Sequence, residues 1–143
     1  MVTSIMKYLS GQFALNIPCK LETYGDWHIL ALDWSNPDFK ESRNSVFGHY
    51  GIENNKKLPY HTGTYFVANH LRAILDLLDD GYVKYLVGMK NDFIGTDQYN
   101  EEFFDQVYLL KNNKHWQAIY TLLLREFGLE WYAYVYVKES LNN

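Results

Sequence analysis

Residues 67–81 read VANHLRAILDLLDDG, and this stretch decides the fold of the C-terminal half. Thr62 or Thr64 is placed to cap the start of a helix here, and Gly81 supplies the left-handed residue that often follows a helix end. The apolar residues recur at the spacing of one helix face: Val67, Leu71, Ile74, Leu75 and Leu78. The pattern predicts an amphipathic helix with one face packed against a core.

Three further helical segments are predicted toward the C-terminus. The first is short and covers residues 82–90. The second begins at Asn100, because the two acidic residues that follow favour the positive end of a helix dipole. The third is capped by Asn113, ends at Gly128 and carries this apolar stripe: Trp116, Ile119, Tyr120, Leu123 and Phe127. The C-terminal half is therefore predicted to be mainly helical.

The tail from Trp131 to Val137 is rich in tyrosine and valine and alternates. Such alternation is typical of a strand, and an edge strand pairs readily with a partner chain. A strand would project Tyr132, Tyr134 and Tyr136 on one side. A helical continuation of the preceding segment is the alternative, and the sequence leaves both open.

The N-terminal half has weaker signals. Residues 26–34 are compatible with a strand, whereas Asn36–Pro37 and the polar run 54–57 mark turns or loops. We therefore expect an α+β fold, with a mainly helical C-terminal half and a small β or irregular N-terminal region. A length of 143 residues predicts a single domain over 1–143, in which residues 1–5 form an extension.

The composition is that of a folded domain. The chain is 48% hydrophobic and 17% aromatic, far from the composition of a disordered segment. Cys19 is the single cysteine, which fits a reducing compartment. The N-terminus lacks the apolar run of a signal peptide, and no apolar stretch reaches the roughly 18 residues of a transmembrane helix. We expect a cytoplasmic protein that does not associate with membranes.

The net charge of −4 is concentrated in residues 76–110, which hold eight acidic and two basic residues. This distribution disfavours direct nucleic-acid binding, which needs a basic surface. It allows an acidic face directed at a basic partner protein, or a mimic of nucleic acid, although a solvated helix face is the simpler explanation. The acidic face is predicted from Asp76, Asp79, Asp80, Asp97, Glu101, Glu102 and Asp105.

Asp26 and His28 are the first candidates for chemistry. In an extended segment, residues two apart share a face, so the carboxylate would orient the imidazole for general-base catalysis or metal ligation. Asp33 and His49 are candidates to complete an acid–base or metal-dependent hydrolase site. The alternative is that Asp26 bonds to turn backbone and His28 packs at the surface. No closely spaced pair of histidines or cysteines occurs, and we predict neither a metal nor a cofactor.

Two other reactive side chains have simpler explanations. His70 shares a flank of the predicted helix with apolar residues, which favours a buried histidine with satisfied hydrogen bonds over one that meets Asp26 and His28. Cys19 precedes a lysine that would lower the thiol pKa, and a nucleophile there needs a base such as His28. A small buried hydrophobic residue is the favoured interpretation of Cys19.

The aromatic excess points to an interface. The sequence holds thirteen Tyr, eight Phe and four Trp, more than one core readily accommodates. Exposed tyrosine and tryptophan commonly anchor protein–protein contacts. We predict these contact residues: Trp27, Trp34, Phe47, Tyr50 and Tyr60.

Several segments together resemble a known family. They are MKYLSGQFALNIPC from Met6, GDWH at 25–28, LDW at 32–34, FGHYGIE at 47–53 and VANHLRAILDLL at 67–78. The pattern resembles a family of small bacterial proteins encoded around mobile elements and prophages, whose members begin at the position of Met6. The resemblance supplies no activity and no functional residues. Small proteins encoded at such loci are often antitoxins, immunity proteins or antagonists of host defence, and the resemblance implies a function of this kind.

These observations lead to one main functional hypothesis and one alternative. The main hypothesis is a cytoplasmic protein-binding module of a phage or mobile element that neutralises or occludes a partner protein, such as a toxin or a host defence protein. The alternative is a small acid–base or metal-dependent hydrolase centred on Asp26, His28, Asp33 and His49. The sequence leaves the oligomeric state open.

Overall fold

The computed structural model describes residues 6–142 and has an α+β fold. A small mixed sheet lies in the N-terminal half, and the C-terminal half is helical. The predicted fold class is therefore confirmed. The predicted extension at residues 1–5 lies outside the described residues.

The sheet has four strands in the order β2-β1-β4-β3. Their bounds are β1 (Lys7–Leu9), β2 (Phe39–Glu41), β3 (Ile52–Lys56) and β4 (Tyr65–Ala68). The central pair β1–β4 is parallel, whereas the two outer pairs are antiparallel. A register shift between Glu53 and Lys56 interrupts the β3–β4 pairing, so this edge of the sheet carries an irregularity.

Two helices pack against each other beside the sheet: α1 (Gly11–Leu15) and α2 (His70–Asp79). Helix α2 is the helix predicted from the 67–81 stretch, but its cap was predicted wrongly. Asn69 is the N-cap, and its side-chain oxygen accepts from the backbone N–H of Arg72. Thr62 and Thr64 lie before β4, because the residues just ahead of the cap pair with β1 and β3 as a strand.

The remaining helices are α3 (Asn100–Tyr108), α4 (Trp116–Phe127) and α5 (Leu129–Leu141). The predicted start of α3 and the predicted stripe of α4 are confirmed, with Gly128 ending α4. The cap predicted for α4 is wrong: His115 is the N-cap, and Asn113, two residues earlier, accepts from the backbone N–H of His115 in the turn that precedes the helix. The strand considered for the tail is wrong and the helical alternative is correct. Trp131 and Val135, one helical turn apart, are both buried against the other helices, which holds the tail in helical form.

Two other predicted elements differ from the structure. Residues 82–90 contain a single 3₁₀ turn, Lys84–Leu86, and a short π-helix follows at Lys90–Ile94. Residues 26–34 form no strand and instead contain a 3₁₀ turn at Ile29–Ala31. Both segments contact the core through isolated apolar side chains. Neither has the regularly spaced apolar residues that would form one face of a longer helix or strand.

A buried ionic network joins α2 to the sheet and to the loop before β3. Arg72 is fully buried and donates to Asp76, to the hydroxyl of Tyr8 and to the carbonyls of Gly48 and Tyr50. Asp76 also accepts from the hydroxyl of Tyr8, at 2.7 Å. All of the charged atoms therefore have partners, which is the condition under which a buried ion pair is tolerated.

Substitution of Gly51 by alanine should lower the free energy of unfolding by more than about 1 kcal/mol. Gly51 has a φ of +71°, and an added Cβ would lie 2.8 Å from the Cβ of Arg72 and from Oδ1 of Asn69. Gly48, in the same loop, has a φ of +55° and open space around it. Gly48→Ala is the matched control, because it adds the backbone strain without the clash. Urea denaturation of both variants checks the prediction, and equal losses would contradict it.

Within residues 6–142, no helix is both long enough and apolar enough to cross a membrane.

Candidate functional site

Two of the five predicted contact residues belong to the core. Trp34 is 4% exposed, donates its Nε1–H to the carbonyl of Ile29 and meets the ring of Phe13 edge-on. Phe47 is also buried and lies under the guanidinium of Arg72. Their assignment as surface anchors is wrong, because the core extends under the irregular N-terminal loops and takes up more aromatic rings than expected.

The other three predicted contact residues are accessible. Trp27 is 71% exposed, and Tyr60 is exposed with a positive φ of 63°. Tyr50 is half-buried and donates its hydroxyl to Glu102 on α3 at 2.5 Å. These residues come from separate loops, and their role in binding stays a prediction.

The predicted acidic face is divided by the fold. Asp76 is buried in the network around Arg72 and is removed from any surface. Burial, together with the neighbouring charges of Asp80 and Asp76, raises the pKa of Asp79, which accepts from Asn113. Asp80 pairs with Lys40, and Asp97 pairs with Lys90. The remaining acidic residues lie exposed on α3: Glu101, Glu102 and Asp105.

An apolar face of α5 was missed by the sequence reasoning. Leu129 and Leu141 are 81% and 76% exposed, at opposite ends of the helix. Between them the same side of the helix carries Tyr132, Ala133, Tyr136 and Val137, all exposed. We call these six residues the α5 face. The signal in the sequence was the helical spacing from Leu129 to Leu141, which the strand-like alternation of the tail concealed.

Helix α3 packs against the flank of α5 that carries Glu130, Tyr134 and Lys138, next to the α5 face. Tyr134 donates to Asp105, Lys138 lies 4.0 Å from the same carboxylate, and Asn100 donates to Glu130 at 3.1 Å. The exposed carboxylates of Glu130 and Glu139 on α5, together with the acidic residues of the neighbouring α3, make the surroundings of the apolar stripe acidic. This arrangement is suited to a ligand that is apolar along its centre and basic at its margin.

Asp26 and His28 do interact, although they lie in a turn and not in a strand. Asp26 is almost fully buried, and its carboxylate accepts from His28 Nδ1 and from the hydroxyl of Tyr85. The side chain of His28 is 78% exposed. A carboxylate that holds one ring nitrogen leaves the other as a base that faces solvent.

Asp33 and His49 are not part of this pair. Asp33 accepts from the backbone N–H and the hydroxyl of Ser35 at the surface, and those bonds lower its pKa. His49 lies exposed in the turn before β3. Across residues 6–142 no three His, Cys, Asp or Glu side chains come together as a metal site. The four-residue cluster proposed for a hydrolase is therefore reduced to Asp26 and His28.

His70 is a buried histidine with both ring nitrogens engaged, as favoured from the sequence. Its Nε2 lies 2.9 Å from the carbonyl of Ile17, and its Nδ1 lies 2.7 Å from the hydroxyl of Thr23. Cys19, which is half-buried, lies 3.4 Å from the same hydroxyl. Burial raises the pKa of the thiol, but hydrogen bonds from His70 and Thr23 outweigh burial, so the pKa lies below its usual value.

Comparisons of the chain with protein-family models, with curated proteins and with solved structures found no match.

Four tyrosines that bond to carboxylates have a raised pKa, which should make the stability of the fold depend on alkaline pH. Burial raises the pKa of each tyrosine, and the carboxylate that it bonds raises it further. The pairs are Tyr8 with Asp76, Tyr50 with Glu102, Tyr85 with Asp26 and Tyr134 with Asp105. Because the folded pKa lies above the unfolded value of about 10, their contribution is fully present below that pH. It is lost as the pH rises through the folded pKa.

We therefore expect the free energy of unfolding to fall above about pH 10, with up to four protons retained by the folded state. Urea titrations at successive pH values measure this slope. The slope of the free energy of unfolding against pH reports how many more protons the folded state binds than the unfolded state. In Tyr134→Phe this difference should be smaller by one proton. A free energy that stays constant well above pH 10 would contradict the assignment.

Proposed function

We propose that this protein is a cytoplasmic protein-binding module that neutralises or occludes a partner protein. In the setting of a phage or mobile element, the partner would be a toxin or a host defence protein. The observation that carries the proposal is the exposed apolar face of α5 beside the acidic residues of α3.

A helix at the surface of a soluble domain ordinarily places polar residues toward the solvent. Helix α5 buries Trp131 and Val135 on one side and leaves the α5 face, with Leu129 and Tyr136, on the other. Large exposed apolar patches on soluble domains mark sites of association. Tyrosines in such a patch are suited to binding, because they contribute a large contact area with little loss of side-chain entropy.

The charges around the α5 face select the partner. Glu130 and Glu139 lie on α5 at the edges of the stripe, and the exposed carboxylates of α3 extend the acidic margin. Lys138 lies on the flank of α5 that faces α3, and its charge is paired with Asp105. The occupant that fits is an amphipathic helix of a partner, with an apolar ridge and lysine or arginine on both flanks. A second copy of this chain would place like charges opposite each other.

Synthetic helices test this specificity directly. We expect a peptide with a leucine and alanine ridge and lysine flanks to bind the protein, and the same ridge with glutamate flanks to bind at least about tenfold more weakly. The double variant Tyr136→Gln, Leu141→Gln should no longer bind the lysine-flanked peptide. Tyr82→Gln is the matched control, since Tyr82 is an exposed tyrosine outside the α5 face. Fluorescence anisotropy measures the binding of both peptides to each of the three proteins.

A photo-crosslinker at position 136, in cells that produce the protein, then tests for the natural partner. The crosslinked segment should carry an apolar ridge with basic flanks, and the purified partner should lose activity with the wild-type protein but not with the double variant. Equal binding of both peptides would contradict the proposal. Self-association of the wild-type protein that Tyr136→Gln, Leu141→Gln abolishes would also contradict it, because the α5 face would then be a homodimer interface.

The pairing of Asp26 with His28 favours a second candidate, hydrolysis by general-base catalysis. Asp26 is fixed by Tyr85 and holds His28 Nδ1, so Nε2 would accept a proton from an attacking water. His28→Gln is the suitable variant, because the side chain is exposed and its loss should leave the fold intact. Hydrolysis of a panel of p-nitrophenyl esters and phosphodiesters should fall at least about 100-fold in this variant. Equal rates in His28→Gln and in the wild-type protein would remove the candidate.

A further inference from the structure

A pocket of about 440 Å³ opens on the sheet and is lined by residues from all four strands, including the irregular edge strand β3. Its volume lies in the range that holds small ligands, about 300 to 1,000 Å³. The lining side chains come from the sheet and its loops, whereas the α5 face lies on the C-terminal helix. We call this cavity the sheet pocket.

The sheet pocket has one cation and no carboxylate among its lining residues, although the chain as a whole is acidic. The cation is Lys7, whose Nζ lies 5.5 Å above the ring of Phe39. Glu41, the residue that pairs with Lys7 across the strands, is bonded instead to Arg43. Lys7 makes no ion pair with the other described residues, and its charge is therefore available to an anion.

Aromatic rings form the apolar part of the sheet pocket. The rings of Phe39 and Tyr65 have centroids 5.9 Å apart and are inclined by 38°. The hydroxyl of Tyr65 is held by the carbonyl of Thr62, which fixes the ring at the pocket wall. Exposed aromatic faces on a sheet are suited to stacking on a planar ring.

The polar part of the sheet pocket comes from the irregularity in β3. Asn54 and Asn55 lie within the register shift, and Asn55 has a positive φ of 58°. Both asparagines and Thr64 are exposed residues of the pocket lining, and their side chains form no hydrogen bond with the other described residues. A bulge of this kind re-aims side chains next to binding sites. Side-chain amides offer both a donor and an acceptor, as the edge of a heterocyclic base requires.

We propose that the sheet pocket binds a free nucleotide, with its base against the aromatic wall and its phosphate at Lys7. The combination of a cation, aromatic rings and amide groups carries this assignment. The cation accounts for an anionic ligand, the rings for a planar one, and the amides for one with hydrogen-bonding edges. This proposal is independent of the α5 face.

Ligand titrations with defined probes test the assignment. The probes are the four ribonucleoside 5′-monophosphates, the corresponding nucleosides, ribose 5-phosphate and an eight-nucleotide single strand of RNA. We expect at least one monophosphate to bind saturably with a Kd below about 1 mM. Its nucleoside and ribose 5-phosphate should each bind at least about tenfold more weakly, because each lacks one of the two recognised groups.

Variants locate the binding in the sheet pocket. Lys7→Met should weaken the binding of the monophosphate at least about tenfold and leave the affinity for the nucleoside unchanged. Asn54→Ala should weaken both. Lys84→Met is the matched control, because Lys84 is an exposed lysine outside the pocket. Thermal unfolding of each variant establishes that the fold is retained.

Three results would overturn the proposal. The first is no saturable binding of any monophosphate. The second is binding that Lys84→Met weakens as much as Lys7→Met, which would indicate a general charge effect. The third is an RNA strand that binds at least about tenfold more tightly than the monophosphates, which would make the sheet a single-strand binding surface.

Discussion

Replacement of Arg72 by methionine should lower the free energy of unfolding by about 3 to 5 kcal/mol. The side chain of Arg72 is fully buried, and its Nε lies 3.1 Å from Oδ1 of Asp76. Removal of the guanidinium leaves the charge of Asp76 uncompensated in the interior. It also removes the donors that hold the carbonyls of Gly48 and Tyr50, so the loop before β3 loses its attachment to α2.

The chain contains a matched control for this substitution. Arg43 and Glu41 form a pair with the same Nε–O distance of 3.1 Å, but both side chains are largely exposed. Arg43→Met should change the free energy of unfolding by less than about 1 kcal/mol, because solvent screens an exposed pair. Urea denaturation measures both variants.

A second comparison separates the buried charge from lost packing. In Arg72→Met, Asp76→Asn the carboxylate charge is gone, and an amide oxygen can still accept from the hydroxyls of Tyr8 and Ser10. We expect the double variant to recover part of the loss. A double variant no more stable than Arg72→Met would show that packing, and not charge, accounts for the effect.

Replacement of Trp131 by alanine should lower the free energy of unfolding by about 3 to 5 kcal/mol. Trp131 is fully buried and contacts the rings of Phe104, Trp116, Tyr120 and Tyr134, the last in a stacked arrangement at 5.8 Å. Its removal opens a cavity where α3, α4 and α5 meet.

Phenylalanine at position 131 should cost much less than alanine. The indole Nε1–H of Trp131 is buried without a hydrogen-bond partner among residues 6–142, and an unsatisfied buried donor costs roughly 1 to 3 kcal/mol. Trp131→Phe removes that donor and keeps most of the aromatic packing. Trp27→Ala is the surface control, with an expected change within about 0.5 kcal/mol. Equal losses in Trp131→Phe and Trp131→Ala would refute this account.

The sequence predicted those elements whose apolar residues repeat regularly. Helix α3 follows from such a repeat, and α2 and α4 do so apart from their caps. The apolar residues of the tail fit both the two-residue period of a strand and the 3.6-residue period of a helix. The helix is formed because Trp131 and Val135 are buried against other helices, a contact that the local sequence does not show.

The candidate sites depended on longer-range contacts. Asp26 and His28 were correctly paired by their closeness in the chain, but Tyr85, which fixes Asp26, is 59 positions away. Trp34 and Phe47 resembled surface anchors because the sequence contains no sign of the loops that cover them. Asp76 was assigned to an acidic face, since charged residues are rarely fully buried.

The parallel pairing of β1 with β4 has a consequence for biosynthesis. Tyr8 pairs with Phe66, and the intervening chain contains both outer strands of the sheet. During synthesis on the ribosome, β1 therefore cannot pair with β4 until Ala68, the last residue of β4, has left the exit tunnel. Helices α3 to α5, whose contacts are local, close quickly once they emerge. A nascent chain stalled before residue 65 would expose the edge of β1 that pairs with β4 in the complete fold. Chaperones and proteases that act on nascent chains would therefore encounter an incomplete sheet with an unpaired edge.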